Sequence, residues 1–306
     1  MGRDFLSLDD IESDELHHLL ELSAKVKQSP GDYAGRLAGK SVALIFEKPS
    51  TRTRVSFEVA VASLGGHPVS LSSTDLQLGR GETIEDTGRV LSRYVDCVVL
   101  RTFEQERLEV LAEAASIPVV NALSDYEHPC QVLADLLTVR DHKGELAGRT
   151  LAYLGDGNNL AHSLLLGGAK TGMHLRMATP PGFEPIQQVI RRAEEIARET
   201  GGSVSVTNDP PRTAEGADIL YTDVWASMGQ EAEHDERVLV FTAYRIDGPM
   251  LDRAADDAIV MHCLPAHRGE EITDEVIDGP RSVVWDQAEN RLHTQKALLL
   301  WLLGAE

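Results

Sequence analysis

The fold is decided by FEKPSTRTR, residues 46–54. The apolar run VALIF, residues 42–46, leads into it and is typical of a strand buried on both faces of a parallel sheet. Pro49 ends that strand, and the spacing of the apolar residues that follow predicts a helix over residues 52–63. The start of this helix brings backbone N–H groups, hydroxyl groups and the Arg52 guanidinium to one point. A phosphate group fits that point.

A second interpretation of the same stretch is structural. Ser50 and Thr51 are common helix N-caps, and an arginine in a first helical turn usually lies in solvent. Arg52 and Arg54, however, are two cations at the positive end of one helix, where each is disfavoured by about 0.3 kcal/mol or more. A bound anion would offset that penalty. Phosphate binding is therefore the favoured interpretation, and simple capping is the alternative.

The composition is that of a globular protein, and 306 residues predict about two domains. The sequence has no apolar run long enough to span a bilayer, and residues 1–20 are acidic and amphipathic, so we expect a cytoplasmic protein without a membrane partner. The net charge of -20 disfavours nucleic acid as a partner. Lys48 lies close to Arg52 and Arg54 in sequence, so a local positive site would have to act against this charge. Three cysteines predict no disulfide framework.

Strands and helices alternate through the first half of the chain. The expected elements are a helix over 8–28, a strand over 68–72, a helix over 82–94, a strand over 97–101, a helix over 104–115 and a strand over 119–123. Short connections between such elements predict a parallel sheet covered by helices. Right-handed crossovers then place the strand ends at one edge of the sheet, where ligands bind. Arg101 ends a strand at that edge, with a chance surface arginine as the alternative.

A second helix start carries HPCQ, residues 128–131. Pro129 suits the first position of a helix, which we expect to continue over 131–140. The His128 imidazole can then donate to a developing oxyanion, and the Gln131 amide can accept from an amine. A capping histidine without a part in catalysis is the alternative interpretation.

The pattern restarts near residue 141, after a polar stretch with two glycines that is typical of a connection between domains. The expected elements are strands over 150–154, 204–206, 219–222 and 258–261, a helix over 185–200 and a final apolar helix over 287–303. We place the domains at 1–140 and 141–286. The C-terminal segment 287–306 is expected to pack back on the first domain.

The strand over 150–154 ends in GDGNN, residues 155–159. This is a partial match to the dinucleotide pattern GxGxxG, with Leu160 in place of the third glycine. The acidic residue expected about 20 positions later is also missing. Asn158 and Asn159 are therefore interpreted as polar groups at the rim of a sheet. A NAD-dependent oxidoreductase is kept as an alternative.

Two further strands end in polar residues. Asp223 would offer a carboxylate to a cationic group, and an aspartate cap is the alternative. His262, Cys263 and His267 are rejected as metal ligands, because Pro265 interrupts one short run and no second cluster has zinc-like spacing. A hydrolytic Cys–His pair lacks a local signature.

Together these segments resemble the aspartate/ornithine carbamoyltransferase family over nearly the whole chain, and within it the ornithine branch. The motifs are STRTR at 50–54, HPCQ at 128–131, D-x-W-x-SMG at 223–229 and HCLP at 262–265. The resemblance implies a two-domain α/β enzyme, each domain a parallel sheet covered by helices on both faces, with the active site in the cleft between them. It also implies a homotrimer or a multiple of trimers, and no cofactor or metal.

The activity that the resemblance implies is transfer of the carbamoyl group of carbamoyl phosphate to the δ-amine of L-ornithine. The products are L-citrulline and phosphate, formed by direct attack through a tetrahedral intermediate. Another acceptor, namely putrescine, N-acetylornithine or aspartate, is an alternative. A non-catalytic binding protein is a further one.

The resemblance also assigns residues, with carbamoyl phosphate on the first domain and ornithine on the second. Those for carbamoyl phosphate are Ser50, Thr51, Arg52, Thr53, Gln77, Arg101, His128, Gln131, Cys263, Leu264 and Arg291. Those for ornithine are Asn159, Asp223, Ser227, Met228 and Cys263, with Cys263 near the δ-amine. The expected catalytic residues are Arg52, Arg101, His128 and Cys263.

Overall fold

The computed structural model of this protein describes residues 3–72, 81–226 and 234–306. The chain divides into two compact units. Unit 1 comprises Met1–Leu137 with Glu289–Glu306, and unit 2 comprises Thr138–Ala288. The domain boundaries predicted from the sequence are 140/141 and 286/287.

Unit 1 contains a parallel four-stranded sheet with the strand order β2-β1-β3-β4. The strands are β1 (Ser41–Phe46), β2 (His67–Ser72), β3 (Cys97–Arg101) and β4 (Val119–Leu123). The helices are α1 (Ser13–Gln28), α2 (Thr51–Ser63), α3 (Ile84–Leu91), α4 (Gln105–Ala114), α5 (Pro129–Lys143), which runs on past residue 137, and α12 (Val284–Leu302), which begins before residue 289. The predicted alternation of strands and helices is confirmed.

The central position of β1 follows from its composition. Every residue of β1 after Ser41 is buried, and the strand pairs with both β2 and β3. Ala43 and Ile45 belong to one apolar cluster with residues of β3, β4 and α4. The pairing register sets Phe46 beside Arg101. The start of α2, a few residues after Phe46, and the end of β3 therefore lie at the same edge of the sheet.

The helix predicted over residues 8–28 is confirmed from Ser13 to Gln28, but its predicted start is wrong. A short 3-10 helix, Leu8–Asp10, comes first, and α1 begins at Ser13. The Glu12 N–H donates to Glu15 Oε2 at 2.8 Å, and the Glu12 side chain accepts from the backbone of the same turn. This reciprocal cap satisfies N–H groups that a helix start leaves without partners, so it begins a new helix.

Unit 2 contains a parallel five-stranded sheet with the order β7-β6-β5-β8-β9. The strands are β5 (Thr150–Leu154), β6 (His174–Ala178), β7 (Ser203–Thr207), β8 (Ile219–Thr222) and β9 (Ile259–His262). The helices are α6 (Asn159–Lys170), α7 (Gln187–Thr200), α8 (Pro210–Ala214), α9 (His234–Phe241), α10 (Gly248–Leu251) and α11 (Asp274–Ile277). Thr222 pairs with His262, so the next residues, Asp223 and Cys263, leave neighbouring strands at the same edge.

Both sheets have the fold class that the sequence predicts, namely parallel strands with helices around them. The strands β1, β3, β5 and β8 are mostly apolar and buried, as expected where both faces of a sheet are covered. Among the described residues, no helix is both long enough and apolar enough to cross a bilayer.

Gly157 is required by the close approach of another segment. A Cβ atom at this position would lie 2.2 Å from the Pro185 nitrogen and 2.4 Å from the Glu184 carbonyl carbon. The Gly157 N–H donates to the Phe183 oxygen at 2.8 Å. The backbone of residues 183–185 thus fills the space beside Gly157.

Replacing Gly157 with alanine is expected to destabilise unit 2 by about 1–3 kcal/mol, because the new methyl group meets backbone that cannot move aside easily. The midpoint of thermal unfolding, measured by calorimetry, should fall. Gly31→Ala is the matched control, since nothing lies within 4 Å of its Cβ position. Equal midpoints for the two variants would contradict the packing argument.

Candidate active site

The carboxyl edge of the unit 1 sheet carries the start of α2. Ser50 is its N-cap, and the Ser50 hydroxyl accepts from the Thr53 N–H at 3.3 Å. Thr51 and Arg52 follow as exposed residues of the first turn. That turn contains no acidic residue to balance the arginine. Ser50 therefore does cap the helix, and the electrostatic argument for an anion at this helix start stands beside the cap.

Arg291 of α12 also belongs to this site. Its side chain is buried, with Nη2 donating to Thr53 Oγ1 at 2.9 Å and Nη1 donating to Gln131 Oε1 at 2.5 Å. Gln131 Nε2 donates in turn to Asp135 Oδ1 at 2.8 Å. Asp135 thus fixes which end of the Gln131 amide points at the arginine. The C-terminal segment therefore packs on the residues of α2 and α5, and it contributes a cation there.

His128 is buried, and the charges of three arginines act on its imidazole. Burial, followed by the charges of Arg291, Arg101 and Arg52, lowers the pKa of His128 well below its usual 6.5. The imidazole is consequently neutral at physiological pH, and a neutral ring still has one N–H to donate. The His128 carbonyl oxygen accepts the Gln131 N–H at 3.1 Å, so the residue also caps α5.

The grouping of Lys48 and Arg54 with Arg52 in one positive site is wrong in part. Lys48 forms an ion pair with Asp125. Arg54 Nε lies 3.3 Å from Glu58 Oε1. Both cations are therefore paired with carboxylates, whereas the arginines whose charges act on His128 are Arg52, Arg101 and Arg291.

In unit 2, the ends of β8 and β9 place a carboxylate beside a thiol. The Cys263 thiol donates to Asp223 Oδ1 at 2.9 Å, and the Val224 N–H donates to the same oxygen at 2.8 Å. Asn158 Nδ2 donates to Asp223 Oδ2 at 3.0 Å. Asp223 is buried and Cys263 is half-buried. This arrangement offers a fixed negative charge to a cationic ligand group.

Asn158 is a residue of this site that the sequence analysis did not assign to a ligand. Its Oδ1 accepts from the N–H groups of Leu160 and Ala161, which makes it the N-cap of α6, and its Nδ2 orients Asp223. The available signal was an asparagine directly before a helix, which is typical of a cap. Asn159, the predicted ligand, is half-buried as the first residue of α6.

His262 holds the turn that carries Cys263 and Leu264. Its Nδ1 accepts the Leu264 N–H at 2.8 Å, so its Nε2 carries the proton and donates to Glu271 Oε1 at 3.0 Å. Leu264 has a φ of 58°, a left-handed conformation that disfavours a leucine by about 1–2 kcal/mol. Glu271 Oε1 also accepts the His267 N–H at 2.6 Å. The buried His262–Glu271 pair thus keeps the turn in this conformation.

Several predicted ligands have no described position. Gln77, Ser227 and Met228 lie outside the residues that the structure describes. All three cysteines are free thiols. Burial raises the pKa of the Cys130 thiol to about 12, whereas Cys263 is half-buried beside a carboxylate.

Replacing His128 with glutamine should flatten the pH dependence of stability. The folded protein holds the pKa of His128 below the unfolded value, so the unfolded chain binds more protons below pH ~6.5 and stability falls as the pH drops. Urea unfolding between about pH 7 and pH 5 should show this fall, with up to about 1.4 kcal/mol per pH unit from this residue, and the variant should lose that part. His17→Gln, an exposed position, is the control. Parallel profiles for the His128 variant and the unchanged protein would contradict the lowered pKa.

Models of known protein families match both units. The model described as aspartate/ornithine carbamoyltransferase, carbamoyl-P binding domain, matches residues 3–141. The model described as aspartate/ornithine carbamoyltransferase, Asp/Orn binding domain, matches residues 147–302. The matches follow each other along the chain and leave only short segments outside.

Individual relatives agree with the family models. An ornithine carbamoyltransferase of Parafrankia sp. (strain EAN1pec) is 62% identical over 305 residues, which cover 99% of this chain and 96% of that protein. The solved ornithine carbamoyltransferase of Pyrococcus furiosus has a TM-score of 0.96 at 53% identity, covering 99% of this chain and 97% of that one. The enzyme of Gloeobacter violaceus has a TM-score of 0.90 at 54% identity, with 99% of each chain covered. The chain therefore belongs to the aspartate/ornithine carbamoyltransferase family.

Proposed function

We propose that this protein transfers the carbamoyl group of carbamoyl phosphate to the δ-amine of L-ornithine, giving L-citrulline and phosphate. The observation that carries the proposal is the set of three arginines, Arg52, Arg101 and Arg291, acting on neutral His128. Arg52 at the start of α2, with Arg101 and Arg291 also acting on His128 in a chain of net charge -20, favours an anionic ligand. The three relatives named above as ornithine carbamoyltransferases, each at 53% identity or more, support ornithine as the acceptor.

Carbamoyl phosphate binds at the carboxyl edge of the unit 1 sheet. The phosphate oxygens accept from the N–H groups at the start of α2, from the hydroxyls of Ser50 and Thr51, and from Arg52. Thr53, already oriented by Arg291, completes this part of the site. His128 and Gln131 face the carbamoyl group from the start of α5. The parts of Gln77, Cys263 and Leu264 in carbamoyl phosphate binding stay predictions.

Ornithine binds at the carboxyl edge of the unit 2 sheet. The buried Asp223 carboxylate, which Asn158 and the Val224 N–H hold in place, supplies a negative charge for an ammonium group of the amino acid. Cys263, in contact with Asp223, lies near the δ-amine, and Asn159 contributes an amide. The parts of Ser227 and Met228 at the α-amino and α-carboxylate ends stay predictions.

The reaction is a direct displacement. The δ-amine, whose ordinary pKa is close to the ~10.4 of lysine, has to lose a proton before its lone pair can attack the carbamoyl carbon. A C–N bond forms, the carbonyl oxygen takes up negative charge, and the nitrogen then gives its second proton to the departing phosphate group. Collapse of this intermediate breaks the C–O bond to phosphate, which leaves with the electron pair.

The unit 1 residues stabilise the charges that appear in these steps. Because His128 is neutral, its N–H is a fixed dipole that donates to the carbonyl oxygen without competing as an acid. Arg52 and Arg101 stabilise the charge on the departing phosphate. Removing one such donor costs on the order of 3 kcal/mol of transition-state stabilisation.

A NAD-dependent oxidoreductase has less support. In a dinucleotide site the second glycine lets the pyrophosphate approach the backbone. Here the backbone of residues 183–185 occupies the space beside Gly157 and accepts its N–H. The first N–H groups of α6 are taken by the Asn158 side chain. The GDGNN stretch is thus explained by the packing beside Gly157 and by the helix cap of Asn158.

A homotrimer, or a multiple of trimers, stays a prediction. Val55 and Val59 support it, since they lie one turn apart on α2 and are 52% and 45% exposed in the single chain. A second copy would cover such apolar side chains. The cytoplasmic location expected from the sequence also stays a prediction.

The first test is product formation from carbamoyl phosphate with a panel of acceptors: L-ornithine, N-acetyl-L-ornithine, putrescine and L-aspartate. We expect kcat/KM to be highest for L-ornithine, with citrulline detected by its ureido group. A higher kcat/KM for another acceptor would reassign the substrate. Binding of carbamoyl phosphate without any ureido product would favour the non-catalytic alternative.

The second test compares two arginines of the same helix turn. Arg52→Ala should lower turnover by about a hundredfold or more, because it removes a donor to the transferring group. Arg54→Ala removes an equal charge from a residue that pairs with Glu58, and turnover should stay within about fivefold. Near-normal turnover for Arg52→Ala would refute its role.

A further inference from the structure

A cluster of possible metal ligands lies away from Asp223 and Cys263. It consists of His234, at the start of α9, with His267 and Glu270, in the turn between β9 and α11. His234 Nε2 lies 3.0 Å from Glu270 Oε2, and His267 Nδ1 lies 3.5 Å from the same oxygen. All the ligand atoms of the cluster are within 4.8 Å of one another.

These distances suit a tetrahedral metal ion. Ligand atoms that sit ~2.1 Å from a tetrahedral zinc ion lie about 3.4 Å from one another. The two contacts to Glu270 bracket that value, and the ligand atoms of His234 and His267 lie within 4.8 Å of each other. Two imidazoles with one carboxylate, leaving one position for water, is a set that zinc commonly adopts.

His234 is also oriented as a ligand. Its Nδ1 lies 3.3 Å from Asp235 Oδ1, so the carboxylate can accept the Nδ1 proton while Nε2 points at Glu270. Metal-binding histidines are usually held in this way, with the second ring nitrogen donating to a carboxylate. The nearby carboxylates suit a cation, and the Arg268 guanidinium is engaged by Asp274 and Asp278.

The backbone on both sides of the cluster is fixed. The His267 N–H donates to the buried Glu271 side chain. The backbone carbonyl oxygen of Glu270 accepts from Arg245 Nε at 2.7 Å. On α9, Arg237 Nη1 donates to Asp156 Oδ2 and to the Trp225 oxygen, both at 2.8 Å. The ligands therefore come from two anchored segments, which lowers the conformational entropy that ion binding has to offset.

We propose that His234, His267 and Glu270 form a binding site for a divalent transition-metal ion of the zinc class. Imidazole ligands select such ions over magnesium and calcium, which prefer oxygen donors alone. The bound ion would link the start of α9 to the turn that follows Cys263 and Leu264. The proposal is independent of the proposed function, because none of these three residues is assigned to carbamoyl phosphate or ornithine.

The test has to separate this cluster from a second one, formed by Asp223, His262 and Cys263. The full-length protein is therefore used with Cys263→Ser, which removes the thiolate ligand. Zinc is titrated in competition with a chromophoric chelator. Cobalt(II) is titrated in parallel, because its visible absorption reports tetrahedral geometry and its near-ultraviolet absorption reports a bond to sulfur.

We expect the Cys263→Ser protein to bind one zinc ion per chain and to give the tetrahedral cobalt spectrum without the sulfur band. Adding His234→Ala or His267→Ala should weaken zinc binding by about tenfold or more, since even outer partners of a ligand change metal affinity on that scale. Glu270→Gln should weaken it as well. The control is His17→Ala, an exposed histidine outside the cluster, which should leave the affinity unchanged.

Thermal unfolding provides a second measurement on the same proteins. Zinc should raise the unfolding midpoint of the Cys263→Ser protein and of the His17→Ala control, but not that of the His234 and His267 variants. The proposal is overturned if Cys263→Ser alone abolishes zinc binding, or if the His234 and His267 variants bind zinc as tightly as the control.

Discussion

The arrangement in unit 1 depends on holding cations close together in a molecule with a large excess of negative charge. Arg101 is fixed by the end of β3, Arg52 by the start of α2, and Arg291 by its bonds to Thr53 and Gln131. Burial lowers the pKa of His128, and the charges of Arg291, Arg101 and Arg52 lower it further. In the function proposed above, a bound dianion offsets the positive charge of these arginines. The site would therefore select carbamoyl phosphate over neutral carbamoyl compounds.

The parts of the site that depend on strand ends could be predicted from the sequence. Continuous apolar runs identify β1 and β3, and a parallel sheet places their ends together, so Phe46 lies beside Arg101 as the pattern indicates. The same argument places Asp223 beside Cys263, since they follow β8 and β9. The starts of α2 and α5 could also be predicted from the sequence, because Ser50 and Pro129 have the residue types that begin helices.

Contacts between distant segments could not be predicted in the same way. Arg291 and Thr53 are 238 positions apart, so the expected packing of the C-terminal helix could not reveal their contact. Metal ligands were rejected because residues 262–267 form one short run and no second cluster has zinc-like spacing. Folding brings His234, at the start of α9, close to His267 and Glu270, and no spacing rule describes this group. Similarly, Gly157 suggested a nucleotide loop, but the close approach of residues 183–185 explains it.

Unit 1 is discontinuous, since it combines Met1–Leu137 with Glu289–Glu306. During translation, the residues of α2, β3 and the start of α5 leave the ribosome long before Arg291 is synthesised. All of unit 2 is made in the interval. The nascent first segment therefore lacks the guanidinium group that orients Thr53 and Gln131, and these contacts can form only after α12 has been synthesised. Synthesis of the chain thus imposes an order in which unit 2 can fold before unit 1 is complete.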